Sequence, residues 1–339
     1  MLALGFVLLL LSSQTASAGQ ANVFVYHRFD DSRYPSTNIS TQNFRAHLES
    51  IQRQNFTVLT LGQVVDKIKL GVSLPQRCAV ITIDDAYRSF ATAGWPLLQS
   101  FGFPATLFVS TDTVGAGGYL DWHELRALHD EGVEIGNHSA SHAYLLDQMN
   151  DENWAARTHG ELSHSQELFA HNLGFTPRLF AYPYGEFSPE LIELVRQAGF
   201  DAAFGQQSGI LTPDQDLFRL PRFPMGGVYA DPGAFQDKLL MKHLPVEVVT
   251  PKTPVLEDEN PPKLVFSLEE GPFDRRTLRC FVSGQPECRV RVVPGEENLY
   301  EIQASRPLAG RRSKYTVTAS DSGGGTWYWY SQLWVLPRR

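Results

Sequence analysis

One feature constrains this chain more than any other: a repeated hydrophobic pattern between about residues 22 and 242. Short, largely apolar runs, at 22–26, 56–59, 78–83, 105–109, 133–135, 179–182 and 201–204, alternate with amphipathic stretches. The stretches at 41–54, 61–70, 87–101, 122–131, 152–171 and 189–198 carry apolar residues every three or four positions, the period of a helix with one buried face. A strand that is apolar on both faces needs cover on both faces. Strands of that kind separated by helices predict a parallel sheet flanked by helices. About seven such units predict an α/β fold, a deformed (β/α) barrel, with a doubly wound open sheet as the alternative.

The two ends differ from this middle. Residues 2–11 are apolar apart from Gly5, and Ser12-Ser13-Gln14-Thr15 and Ala16-Ser17-Ala18 follow. That order predicts a signal peptide over 1–18 and an exported protein, periplasmic or extracellular in a bacterium. The apolar run is shorter than the roughly 20 residues that span a bilayer. No Lys or Arg precedes it, which departs from the usual pattern. A first domain is then expected over 19–242. Pro245, Pro251, Pro254, Pro261 and Pro262, with Glu257-Asp258-Glu259, mark 243–262 as a stiff linker. Beyond it, strand-like runs recur with no helical pattern between them, predicting a small all-β sandwich over 263–339. Cys280 and Cys288 are placed to close a hairpin as a disulfide, and Cys78 reads as a buried thiol. In Trp327-Tyr328-Trp329-Tyr330 the aromatics alternate between two faces. They would either fill the sandwich core and a domain interface, the preferred reading, or stack on sugar rings.

The formal net charge of −8 gives no basic field for nucleic acid and none for an anionic membrane surface. Chemistry is indicated instead by where the polar clusters fall. Asp84-Asp85 follows the run at 80–83, and Asn137 to His142 follows 133–136. Pro183-Tyr184-Gly185 follows 179–182, and His27-Arg28 follows 23–26. In parallel β/α folds the C-terminal strand ends share one rim, so four clusters distant in sequence converge there. His138 and His142 stand four apart, and one turn of chain can aim both at one point. Two His and one Asp suit a divalent metal with a position left open for water, and a second Asp can serve as general base.

Thr82-Ile83-Asp84-Asp85, then His138-Ser139-Ala140-Ser141-His142, then Phe180-Ala181-Tyr182-Pro183-Tyr184-Gly185 resemble, in that order, the three motifs of the polysaccharide deacetylases of NodB-homology type, carbohydrate esterase family 4. The likeness spans about 22–225 and looks closest to the branch acting on poly-β-1,6-N-acetylglucosamine. It implies Asp84 as general base and Asp85, His138 and His142 as ligands of a divalent ion, zinc first, cobalt or nickel as alternatives. It also implies the Tyr184 backbone N–H at the oxyanion, Trp122 lining the groove, and Tyr182 and Pro183 at the substrate. The sequence departs from the family in three places. The Arg expected before Pro-Tyr is replaced by Ala181 and Tyr182, and the late Leu-x-His is absent, the stretch reading Leu220-Pro221-Arg222-Phe223. Arg222 is the candidate to orient the base and His27 the candidate acid. Ala86 stands where Gly is usual. The implied reaction is N-deacetylation of an exported N-acetylglucosamine polymer. An acetyl esterase of xylan type and a non-catalytic polysaccharide-binding protein are the other readings.

Overall fold

The strand Ala21–Tyr26 (β1) is buried along its whole length, apolar except for Asn22, whose amide donates to the Lys238 carbonyl at 2.8 Å. The computed structural model to which it belongs describes residues 19–256, 259–286 and 288–338, so the expected signal peptide lies outside the described residues. Then follow α1 (Thr41–Arg53), β2 (Thr57–Leu59), α2 (Leu61–Lys69), β3 (Cys78–Ile83), α3 (Trp95–Phe101), β4 (Thr106–Val109) and α4 (Trp122–Asp130). The domain continues with β5 (Glu134–Asn137), α5 (Trp154–Leu173), β6 (Leu179–Ala181), α6 (Pro189–Gln197), β7 (Ala202–Phe204), β8 (Phe223–Pro224) and α7 (Pro232–Leu240). Helix starts follow capping chemistry: Thr60 and Asp121 each form a capping box, with Gln63 and Glu124 respectively.

The seven strands on the main path pair in the order β8-β1-β3-β4-β5-β6-β7, all parallel. β2 lies against the lower half of β3. The curved sheet is open between β7 and β8, where only Phe204 and Leu220 form a bridge, so the barrel is a half-barrel. The two faces sort by alternation. On β3, Ala79, Ile81 and Ile83 pack in the layer shared with the outer helices. Cys78 and Val80 pack in the inner cluster with Phe108, Leu179, Ala181 and Phe204. Thr82 and Asp84 continue that inner row upward, so the sequence period itself aims Asp84 into the barrel mouth.

The C-terminal part is an all-β sandwich of two four-stranded sheets. Its strands are β9 (Val246–Thr250), β10 (Lys263–Leu268), β11 (Arg279–Val282), β12 (Arg291–Val292), β13 (Leu299–Gln303), β14 (Arg312–Ser320) and β15 (Trp327–Val335). The two-residue strand Lys242–His243 pairs with β15. β9 falls inside the segment expected to be linker and pairs antiparallel with β10. The prolines that suggested a linker flank the strand and do not interrupt it. Cys280 and Cys288 are joined by a disulfide, and Cys78 is a buried free thiol.

The aromatic run on β15 serves packing. Tyr328 joins the sandwich core. Trp329 turns to the barrel, its ring 6.0 Å from Phe223 and its Nε1 donating to the Ser208 carbonyl at 3.1 Å. Leu333 and Val335 enter the barrel's own cluster with Tyr182, Phe187 and Leu191. The two domains thus share a continuous apolar core. No helix among the described residues is long and apolar enough to cross a membrane.

Candidate active site

Asp84 is fully buried, its backbone N–H still on the ladder to the Tyr26 carbonyl at 2.9 Å. A bare carboxylate there would cost several kcal/mol. Arg222, also fully buried, meets it with two parallel bonds, Nη1 to Oδ1 at 2.7 Å and Nη2 to Oδ2 at 2.9 Å. The guanidinium is itself fixed, Nε donating to the Gly205 carbonyl at 2.9 Å and Nη1 to Thr82 Oγ1 at 3.2 Å. Burial pushes the Asp84 carboxyl up, but Arg222 and then His138 outweigh it and hold it below the ordinary carboxylate range. The expected replacement for the missing arginine is thus geometrically in place.

After Asp84 the chain turns sharply, Asp85 and Ala86 both lying at positive φ, 72° and 55°. Asp85 is thereby aimed across the rim. His138 follows β5, held by its N–H on the Val109 carbonyl at 2.9 Å. Its Nδ1 lies 2.7 Å from the Ala181 carbonyl. A carbonyl only accepts, so Nδ1 carries the proton and Nε2 presents a lone pair. That Nε2 is buried without a hydrogen-bond partner and points at the carboxylates, 3.5 Å from Asp85 Oδ1 and 3.9 Å from Asp84 Oδ2. His142 reaches the same oxygen, Nε2 to Asp85 Oδ1 at 3.3 Å. Ser139 makes that possible: at φ 66° it bends the chain, and its Oγ accepts the His142 N–H at 3.1 Å.

One ligand atom from each of Asp85, His138 and His142 lies within 4.8 Å of the others. An orphaned imidazole lone pair, a second imidazole and a carboxylate around one point fit a divalent cation. The electrostatics agree. Burial presses His138 toward neutrality, yet Asp84 and Asp85 outweigh it and raise its pKa, so the position favours positive charge. His142 is pushed down to about 4, by burial first and then by His138, and it stays neutral at physiological pH. Burial raises the Asp85 carboxyl, but its bond to His138 and the nearby His27 hold it well below the usual range.

The structure brings His27 to this cluster. It follows β1, half-buried, and its charge acts on Asp84, Asp85 and His142. Tyr184 is also present, at φ 59°, its ring 4.4 Å from His142 and stacked on Tyr144 at 3.9 Å. The next position, Gly185, lies at φ 71°, and a Cβ there would sit 2.4 Å from the Gln206 N, so only glycine fits. The non-glycine residues at positive φ include Asp85, Ala86, Ser139, His142 and Tyr184, a concentration of backbone strain at one rim.

Two expectations fail. Tyr182 is fully buried and its Oη donates to the Phe218 carbonyl at 2.8 Å, so it is core and not a substrate contact. Pro183 is buried as well. Both lie just past Ala181, at the start of the tight turn Pro183–Gly185, which folds back into the core before the chain reaches the rim. Trp122 is half-buried and packs edge to face on Phe169 of α5 at 5.7 Å. Sequence reading also passed over Gln206, whose Nε2 lies 3.3 Å from Asp84 Oδ2. It follows β7, and the strand-end rule used for the other clusters would have found it. Arg312, which donates to the Tyr184 carbonyl at 2.5 Å from another domain, carried no such signal.

Residues 71–203 match the family model described as polysaccharide deacetylase. The chain is 26% identical over 196 residues to the poly-β-1,6-N-acetyl-D-glucosamine N-deacetylase of Staphylococcus epidermidis, covering 54% of this chain and 66% of that protein. In structure it is similar to the deacetylase PplD of Streptococcus pyogenes, with a TM-score of 0.59 at 16% identity over 66% of this chain and 99% of that one. It is also similar to IcaB from Ammonifex degensii, with a TM-score of 0.56 at 22% identity over 64% and 97%. Residues 71–203 are thus similar to the polysaccharide deacetylase family, and the fold is that of the deacetylase structures.

Proposed function

We propose that the protein removes N-acetyl groups from an exported N-acetylglucosamine polymer, of which poly-β-1,6-N-acetylglucosamine is the first candidate. The observation that carries this reading is the convergence of Asp85, His138 and His142 beside an Asp84 held ionised by Arg222. The name of the Staphylococcus epidermidis relative supports the choice of polymer. The disulfide supports an oxidising setting outside the cytoplasm.

A divalent cation, zinc first by its liking for imidazole and carboxylate donors, would be held by Asp85, His138 and His142, polarising the acetamide carbonyl and acidifying its water. The chain's own groups do the rest. Asp84 accepts the proton of the attacking water, and Arg222 keeps its carboxylate charged and correctly turned. The Tyr184 backbone N–H faces the developing oxyanion, a contact of the kind worth about 3 kcal/mol. His27 donates a proton to the departing amine.

Acetate release from β-1,6-linked and β-1,4-linked N-acetylglucosamine oligomers tests the reading. Release from the β-1,6 series supports it. Release only from acetylated xylan would assign an esterase instead. Binding of the polymer with no release from any substrate, zinc supplied, would make the protein a binding module.

A further inference from the structure

A cleft of about 340 Å³ adjoins the rim on the side of the sandwich. Tyr184, Gly185 and Gln206 form one wall, and Arg312, Ser313 and Lys314 at the start of β14 form the other. Tyr184 and Gln206 belong to the site already described, so the cleft is its lateral continuation. The sandwich wall is cationic. Arg311 is neutralised, bonded to Glu186 through Nε and Nη2, both at 2.7 Å, and to Asp147 at 2.5 Å. Arg312 is not matched in this way. It is exposed, its Nη1 donates to the neutral Tyr184 carbonyl, and its nearest carboxylate oxygen, on the already paired Glu186, is 3.7 Å away. Lys314 Nζ is 3.2 Å from Ser208 Oγ, again a neutral partner. Burial, with Arg312 beside it, lowers the Lys314 pKa to about 8, so it keeps its proton through most of the neutral range.

We propose that this cleft is the subsite for the sugar next to the one being deacetylated, and that Arg312 and Lys314 make it accept an N-acetylated neighbour and reject a glucosaminium one. The proposal rests on the deacetylase reading given above. Its physical basis is plain. An N-acetylglucosamine is neutral and offers carbonyl and hydroxyl acceptors to the two donors. The sugar left by the reaction carries an ammonium, which Lys314 and Arg312, the latter only sharing Glu186 with Arg311, repel. The sandwich would thus space the reaction along the polymer, leaving isolated amines instead of runs.

The test compares two defined N-acetylglucosamine pentamers, one fully acetylated and one carrying a single internal glucosamine, with products sequenced by mass spectrometry. Each variant is scored by its own ratio of kcat/KM for the two substrates, which cancels any general loss of activity through Tyr184. For the wild-type protein at pH 7 the ratio is expected to favour the acetylated pentamer by roughly fivefold, with adjacent amines rare in the products. Arg312→Gln should bring the ratio to within about twofold, and Arg312→Lys, which keeps the charge, should retain it. High salt should also weaken the preference. A wild-type ratio near one, or an undiminished ratio in both Arg312→Gln and Lys314→Met, would overturn the proposal. No acetate from either pentamer would instead overturn the deacetylase reading.

Discussion

The rim of the half-barrel and the aromatic run of β15 both looked like sites in the sequence, and only the rim holds a convergent set of chemical groups. The difference lies in position along a strand. Asp84, Asp85, His138 and His142 stand just past strand ends, where the ladder stops and the backbone is free to adopt positive φ and re-aim side chains. Trp327 to Tyr330 stand within a nine-residue strand paired along its whole length with β14. Their direction is fixed by the pleat: Tyr328 and Tyr330 face the sandwich core and Trp329 the barrel, while Trp327 at the strand's start is exposed. Polar residues at the end of a buried strand point to chemistry; aromatics in its middle point to packing.

The largest effect expected from this contrast is on the metal. Chelation should abolish acetate release, and added zinc should restore it. Asp85→Ala or His142→Ala should lose bound metal in parallel with activity, as read by elemental analysis. Full activity after exhaustive chelation would remove the rim from the mechanism.

Arg222→Met comes next. It leaves Asp84 buried without its partner, and the expected loss of stability is about 3–5 kcal/mol at neutral pH, with turnover down by roughly 10²-fold. The sign of the pH dependence follows from Asp84. Its pKa is depressed in the fold, so its contribution is present above the unfolded value near ~3.9 and is lost as pH falls through the folded value. The stability gap between wild type and variant should therefore narrow below about pH 4, and the acid limb of the variant's rate profile should move to higher pH. Equal stability at pH 7 would show that the pair contributes little.

His27→Ala should lower kcat by roughly 10²-fold with metal content unchanged. Undiminished turnover would take away its role as the acid. The smallest effect is expected at the packing aromatic. Trp329→Ala should destabilise the fold by about 2 kcal/mol in thermal unfolding while leaving polymer binding intact. Loss of binding without loss of stability would return the aromatic run to the sugar-platform reading.

Much of this was legible from pattern. Largely apolar runs between amphipathic stretches specified parallel strands under helices, and the strand-end rule gathered Asp84, His138 and His27. Arg222 was legible as a candidate, because a missing cation had to be replaced from somewhere. Tyr182 and Pro183 were misread because a motif position does not say which face of a strand it occupies, and burial decides that. Residues 246–250 were read as linker because prolines mark chain breaks locally, while a strand in a two-sheet sandwich is stabilised by β10, more than a dozen residues away. Arg312 was not legible at all. Its reach to Tyr184 exists only because two domains dock through Trp329, Leu333 and Val335.

The central claim is that Asp84 acts as the base beside a metal site and does not itself hold the metal. Acetate release by wild type and Asp84→Asn, assayed together with metal content, tests it most directly. The account predicts equal metal in the two proteins and a loss of roughly 10³-fold in kcat for the variant. Undiminished release by Asp84→Asn, or loss of its metal in step with its activity, would contradict it.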